Sequence, residues 1–487
     1  GGGGGGGGGV GGGGGGGGQM GIGSEFLALP RVFSCVLAVE GGFRLLTAQM
    51  RRRILVLANE TIPPWRKCTV SLSLKASFRV VFGAAAVLAG QAAADIAVSD
   101  YLPEDFVTDA SVSYMPQVQE ALETAANEGA TVVFPAGQFL IDNPAGLRVG
   151  SDTRLEMHGA TFVLAEGLAE DGQVFRGEGV HNVRFVGGAV VGKRDAWDPG
   201  TNIAGIRLYG ACSGIRITDM RFEDLSSNGI GLFGGEDQRI TDVRVRDVVV
   251  RNCCNFYGDY LSERKGPAEG SVREDQGGVA FYHVDDWVVD GCLFAGSQSD
   301  GTHFYHSHQG RFVNSQVVDS QMGGYFLEGC RHVVAANNRI AGNGSRGVTI
   351  ERDSMYCTLA GNIVEHSGRE GLWAPDVMGL MVTENIFHEN GRKDDTDRDC
   401  EIRIDEGERF KTETRDVVVG ENLFYTSAHQ TAVVLVTDGV RGCIVHSNTF
   451  RGQVEDTSVR VEDGAGGCIV DGNDGDTARL MPPGLGF

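Results

Sequence analysis

The stretch Asp300-Gly-Thr-His-Phe-Tyr-His-Ser-His308 places three histidines and a tyrosine within nine residues. Histidine titrates near neutrality, and a neighbouring phenol can deliver or remove a second proton. His303 and Tyr305 therefore read as an acid–base pair. Three histidines so close together also raise the question of a metal ion. A strand alternates its side chains, however, so His303 points outward while His306 and His308 fall at the strand end and turn. A shared ion would be strained there, and no metal is expected. Two glutamates follow, Glu328 and Glu351, with Arg352 beside the second. On adjacent strands their carboxyls would stand about 5 Å apart, within reach of the retaining-glycosidase spacing of about 5–5.5 Å. The bland alternative for both is a solvated sheet face in an acidic protein.

These residues lie far apart in sequence, so something periodic must bring them together. A short element, Asn-x-(Ile/Val/Phe), recurs at Asn338, Asn362, Asn385, Asn422 (as Asn-Leu-Phe), Asn448 and Asn473, with Cys292 and Ser315 continuing the series upstream. From 292 the steps are 23, 23, 24, 23, 37, 26 and 25 residues. Units of this size hold two or three short strands and no helix. Each must stack on its neighbours to bury its apolar face, which is the logic of a solenoid. The asparagines would sit at a turn and bond the next coil, as ladders of this kind do in stacked strands. Cys357, Cys443 and Cys468 each precede a ladder asparagine by five residues and read as small buried apolar groups. A β-sandwich would not keep such a phase over so many units. The expected fold is all-β, a single-stranded right-handed parallel β-helix.

About nine residues past most ladder positions comes a glycine and a short strand. Period-2 alternation there turns Ile230, Leu232, Phe304, Leu327, Val348, Ile350 and Leu372 inward. The outward pairs, coil by coil, are Arg207 and Tyr209, Gly231 and Phe233, Ala280 and Tyr282, His303 and Tyr305, Phe326 and Glu328, Thr349 and Glu351, Trp373 and Pro375, and Glu401 and Arg403. Tyr209, Phe233, Tyr282 and Trp373 offer aromatic faces on which the C–H faces of sugar rings could pack. With His306 and Arg403 they are the expected substrate-binding residues, in one solvent-facing groove. His303, Tyr305, Glu328, Glu351 and Arg352 are the expected catalytic ones.

An open coil exposes core and strand edge, so the solenoid needs a cap. Residues 115–129 (MPQVQEALETAANEG) supply a capping helix, with Val118, Leu122 and Ala125 on one face and Gly129 as its stop. Residues 130–141 (ATVVFPAGQFLI) then read as the first strands. This helix and TVVFPAGQFLI resemble the entry segment of the pectate-lyase-like β-helix superfamily, which holds polysaccharide lyases, alginate (mannuronan) epimerases, polygalacturonase-like hydrolases and phage tailspikes. The Asn-x-Ile coils resemble its generic repeat. The resemblance covers nearly all of residues 95–487 and implies a polysaccharide or oligosaccharide partner.

For a uronate-containing glycan the chemistry is removal of the proton next to the carboxyl. It needs a base and a group that neutralises the carboxylate. A proton donor must also stand on the leaving oxygen for elimination, or on the opposite face for epimerisation. His303 and Tyr305 suit base and acid, and Arg352 or Arg403 the carboxylate. The expected function is thus a lyase or epimerase. The alternatives are a glycoside hydrolase using Glu328 and Glu351, and a non-catalytic glycan-binding or tailspike-like module. Alginate epimerases carry Asp-Pro-His on a strand like this one. Here Phe304 is followed by Tyr-His-Ser, so no catalytic residue is transferred from that family.

The chain has 487 residues and a formal charge of −22. Residues 1–26 hold 19 of its 75 glycines and read as a tag. Residues 27–94 read as an N-terminal extension ending in a signal peptide: a basic start at 75–79, an apolar run, and small residues before a cut after Ala94. A secreted or periplasmic protein follows. Residues 95–487 form the expected catalytic domain, with 33 Lys/Arg against 61 Asp/Glu, a formal −28. That disfavours nucleic acid as partner, since phosphate binding needs a basic footprint. No apolar run in that part is long enough to span a bilayer. Its nine cysteines include no CxxC pair, arguing against a zinc ribbon or a dense disulfide scaffold. Two insertions break the period. Residues 255–276 bring Tyr257, Tyr260, Arg264 and Lys265 near the groove, and a loop on a rigid solenoid is a common place for binding. Residues 389–399 are rich in Asp, the one place where calcium could bind, although the spacing misses the EF-hand pattern. No other cofactor is expected.

Overall fold

The computed structural model describes residues 94–198, 201–255, 276–393, 399–407, 412–428, 430–454 and 456–475. The tag, all but the last residue of the leader, and the centres of both insertions (256–275 and 394–398) lie outside the described residues.

The chain winds as a right-handed parallel β-helix, its coils contributing short strands to three long parallel sheets of 14, 12 and 12 strands among the described residues. No helix among the described residues is long and apolar enough to cross a membrane. At the N-terminal end the helix Met115–Glu128 buries Val118, Ala121, Leu122 and Ala125 against the first coils. Gly129 ends it in the left-handed conformation (φ 65°), its N–H bonded to the Ala125 carbonyl. Glycine adopts that backbone without steric cost. The strands Thr131–Val133 and Gly137–Ile141 follow and enter two different sheets.

The inward set is as the alternation requires. Ile230, Leu232, Phe304, Leu327, Val348, Ile350 and Leu372 are all buried. Each such side chain contributes about 1.5–3 kcal/mol when fully removed from water. The asparagine ladder is continuous. The Oδ1 of Asn362 accepts from the backbone N–H of Asn338 at 3.0 Å and from its Nδ2 at 2.9 Å. The same double contact links Asn362 to Asn385, Asn385 to Asn422, Asn422 to Asn448 and Asn448 to Asn473. Upstream the ladder passes to Ser315 and then Cys292. It fixes the phase of every coil around it, and so the stacking of the outward residues. Cys357 and Cys443 are buried thiols, and Cys468 is half-buried.

Candidate active site

Strand pairing places the outward residues in two columns. Arg207, Gly231, Ala280 and His303 pair in sequence, and Phe326, Thr349, Trp373 and Arg403 continue that side. Tyr209, Phe233, Tyr282, Tyr305, Glu328 and Glu351 pair in sequence on the other. All eleven candidate residues therefore lie on or directly beside one sheet, and Glu328 and Glu351 are strand neighbours.

At the centre a line of polar groups spans four coils. His303 Nδ1 is 2.9 Å from the Tyr282 hydroxyl, and its Nε2 is 3.2 Å from Glu328 Oε2. The other Glu328 oxygen accepts from Arg352 Nη1, and Arg352 Nε lies 3.0 Å from Glu351 Oε1. An ionised Glu328 accepts the Nε2 proton, which leaves Nδ1 to accept from the Tyr282 phenol. Burial pushes the Glu328 carboxyl upward, but the hydrogen bond from His303 and the Arg352 guanidinium outweigh it and hold the group at about 2. Glu351 goes the other way. Burial, with the charge of Glu328, overrides Arg352 and raises it to about 7. Two adjacent carboxyls thus sit on opposite sides of the usual carboxylate range.

Arg352 reaches both glutamates from a left-handed backbone (φ 54°), followed by Asp353 in the same region (φ 67°). Two such non-glycine residues in succession cost energy that the surrounding contacts must supply, and strain of this kind gathers at functional sites.

The expectation of a solvent-facing groove through all these residues needs correcting. His303, Tyr282, Phe233, Glu328 and Glu351 are buried. Large side chains from successive coils cover one another: the Phe326 ring lies flat on His303 (centroids 4.6 Å, 15°), and Phe233 and Tyr282 meet edge to face at 5.2 Å. Tyr209 stacks on Phe233 at 5.4 Å. Open space begins one coil further on. A pocket of about 350 Å³ is lined by Glu351, Arg352, Trp373 and Arg403, and also by Arg346, Glu370, Asp376, Asp405 and Glu406. That volume is in the range of small-ligand sites. Arg346 lies 3.8 Å from the Trp373 ring centre, and the indole N–H donates to Asp405 at 3.2 Å.

Tyr305 is half-buried, 6.4 Å from the His303 ring and 5.3 Å from that of Tyr282. The phenol hydrogen-bonded to His303 is that of Tyr282, which the sequence reading had assigned only to substrate contact. His306 stacks on His283 at 5.5 Å, and burial lowers the pKa of both. Burial also takes His308 down to about 4.

One register differs from expectation. Arg403 pairs with Trp373, and Asp405 with Pro375. Glu401 faces away from the column; its carboxylate accepts from Asn390 and Gln430 while complete burial raises it to about 7. The insertion after residue 389 hid the phase. Aligning the inward pair Leu372 and Ala374 with Ile402 and Ile404 would have recovered it, and with it Asp405. That carboxylate holds Arg403 Nε at 3.0 Å.

Residues 277–474 match the family model described as the right handed beta helix region. A search of curated protein sequences finds no match. Among solved structures, the A-module of a mannuronan C-5 epimerase from Azotobacter vinelandii superposes with a TM-score of 0.64 at 15% identity, covering 76% of this chain and 98% of that one. The Dettilon tailspike protein gives 0.51 at 14%, covering 77% and 68%. Tailspike protein 3 of bacteriophage CBA120 gives 0.50 at 12%, covering 80% and 64%. The right-handed parallel β-helix fold is thus common to this chain, an epimerase module and tailspikes.

Proposed function

We propose that this β-helix protein is an exported polysaccharide-processing enzyme, a lyase or epimerase acting on a uronate-containing glycan. The observation that carries the reading is the line Tyr282–His303–Glu328, a phenol, an imidazole and an ionised carboxylate in hydrogen-bond contact. His303 takes the phenol proton and its positive charge is held by Glu328. The Tyr282 oxygen then removes the proton next to the substrate carboxyl, a step that requires the side chains covering this buried phenol to part. That abstraction leaves negative charge spreading into the carboxylate. The pocket arginines begin three coils from Tyr282, at about 4.8 Å per coil, so they would hold carboxylates on neighbouring sugars of the polymer. Tyr305, one coil on and packed against Tyr282, is placed to return a proton, to the leaving oxygen in elimination or to carbon in epimerisation. The epimerase module among the structural neighbours, named for mannuronan, accords with this choice of substrate. An acidic protein working on an acidic polymer needs local cations, and Arg346, Arg352 and Arg403 lie together around Trp373, each held by a carboxylate that substrate would have to displace.

A second reading rests on a different observation. The same pocket holds five carboxylates against three guanidinium groups, and Glu351 and Glu328 have their pKa values pushed apart. Such a pair fits the proton donor and the ionised partner of a retaining glycoside hydrolase on a neutral glycan. Incubation with a panel of uronate and neutral polysaccharides separates the two. New ultraviolet absorbance from an unsaturated uronate identifies a lyase, and proton exchange at carbon 5 without cleavage identifies an epimerase. Reducing ends without that absorbance identify a hydrolase. No turnover of any polysaccharide would leave a glycan-binding module and remove the catalytic proposal.

A further inference from the structure

We infer a transition-metal site, of the zinc class, formed by His366, His388 and Glu389. It lies at the root of the second insertion, on a different sheet from the candidate active site. His388 ends the strand Ile386–His388, and His366 follows the strand Ile363–Glu365 one coil earlier. His366 and Glu389 both have left-handed backbones (φ 56° and 47°), and each is anchored by its own N–H to the next coil, at His388 and Tyr425 respectively. This brings the two imidazoles together with ring centres 4.9 Å apart.

The separations are those of ligands around one ion. His366 Nε2 is 3.6 Å from one Glu389 oxygen, and His388 Nε2 is 3.9 Å from the other. Ligand atoms of all three residues lie within 4.8 Å of one another. Bonds of about 2.0–2.2 Å in tetrahedral geometry put ligand atoms about 3.4 Å apart. From separations of up to 4.8 Å the three ligand atoms would have to close by as much as about 1.4 Å around an ion.

A second feature points the same way. His388 Nδ1 faces Glu365 Oε2 at 3.6 Å, and Glu365 is itself held by Arg339 at 2.6 Å. At 3.6 Å this is a charge contact and not a hydrogen bond, but a small closure would let the carboxylate take the Nδ1 proton and leave Nε2 to coordinate, the usual support for a metal-binding imidazole. Two imidazoles and one carboxylate suit zinc or a similar borderline ion, with solvent completing the shell. They do not suit calcium, which takes six to eight oxygens. The Asp-rich turn, where the sequence left calcium open while favouring an exposed turn, has its centre outside the described residues, and the site inferred here lies at its root. Such an ion would staple coils 23 residues apart just where the period breaks to 37.

Isothermal titration of the chelator-treated full-length protein with zinc chloride tests this, with calcium chloride as control. The expected result is one saturable equivalent of zinc and no calcium response. His388→Ala and Glu389→Gln should each weaken zinc binding at least about tenfold, and Glu365→Gln, which leaves all three ligands in place, by about 10–100-fold. Loading with cobalt should give visible absorption bands that His388→Ala abolishes, a readout independent of catalysis. All three substitutions are at partly or fully exposed residues, so unchanged circular dichroism is expected and keeps the comparison valid. Absence of zinc binding, or zinc binding that survives both His388→Ala and Glu389→Gln, overturns the site.

Discussion

His303 and Glu328 belong to neighbouring coils, and the 3.2 Å contact between His303 Nε2 and Glu328 Oε2 is buried from water. At such a depth a charge–dipole or ion-pair contact is screened little. It gives His303 one defined orientation, with Nδ1 toward Tyr282. The imidazole is thus positioned by a carboxylate on one side and presented to a phenol on the other. The same burial makes His303 a structural element as well as a chemical candidate.

That double role decides how His303 should be replaced. His303→Ala would leave Glu328 short of a partner and open space beside Phe326, so a lower melting temperature is expected along with lost activity. His303→Gln can still donate to Glu328 and fills most of the volume, yet it cannot take up a proton. Its melting temperature should stay near that of the parent while turnover falls by about 10²–10⁴. A stable, fully active His303→Gln protein removes His303 from the chemistry.

The fold was legible because its signals repeat. Asn338 to Asn473 and the alternating Val348-Thr-Ile-Glu type strands state the coil length and the inward face many times over, so one irregular coil does little harm. The site was legible only in part. Which residues leave the core follows from alternation, and the pairing of Glu328 with Glu351 came with it. Burial of that outer face did not, since it depends on how Phe326, Tyr282 and Arg352 pack over their neighbours. Asp405 was missed because an insertion separates its coil from the last regular one. The Tyr282–His303 contact runs diagonally between columns, which a coil-by-coil list of opposite residues cannot display.

Stability should depend on pH in two opposite steps. Glu328 is held at about 2 in the fold against about 4.3 in an unfolded chain, so the unfolded state binds more protons in between. Its contribution is present above about 4.3 and is lost as pH falls toward 2. Glu351 and Glu401 are raised to about 7, so the folded state binds more protons between about 4.3 and 7. Their neutral forms favour the fold, and stability should decline as pH rises through that window. Thermal melts from pH 4.5 to 8 should show the decline, and Glu351→Gln should flatten part of it. A melting temperature that climbs steadily across that range contradicts the assignment.

The asparagine ladder should be costly to interrupt. Asn385 accepts both the backbone N–H and the amide of Asn362 while its own amide donates to the Leu359 carbonyl. Asn385→Ala strands these buried groups, each costing about 1–3 kcal/mol when left unsatisfied. Denaturant unfolding should show a loss of several kcal/mol relative to the parent. Asn473→Ala, which removes the half-buried last rung, should cost less, because water can replace its contacts. Equal costs at the two positions would mean that the ladder contributes through something other than buried hydrogen bonding.

The two catalytic readings part at Tyr282 and Glu351. If the phenol removes the proton, Tyr282→Phe keeps the ring that packs between Phe233 and Tyr305 but has no oxygen to accept it, so activity should fall by about 10²–10⁴ with the fold intact. Glu351→Gln should then retain substantial turnover, since Glu351 touches the line only through Arg352. If the carboxyl pair does the work, the pattern inverts: Glu351→Gln loses the proton donor and is near-inactive, whereas Tyr282→Phe loses only an orienting contact. The pH profile adds an independent check. A donor with a pKa of about 7 gives a rate that declines as pH rises through 7, and Glu351→Gln would remove that limb. Full activity in both variants would place the chemistry outside this column and leave the pocket around Trp373 as a binding surface.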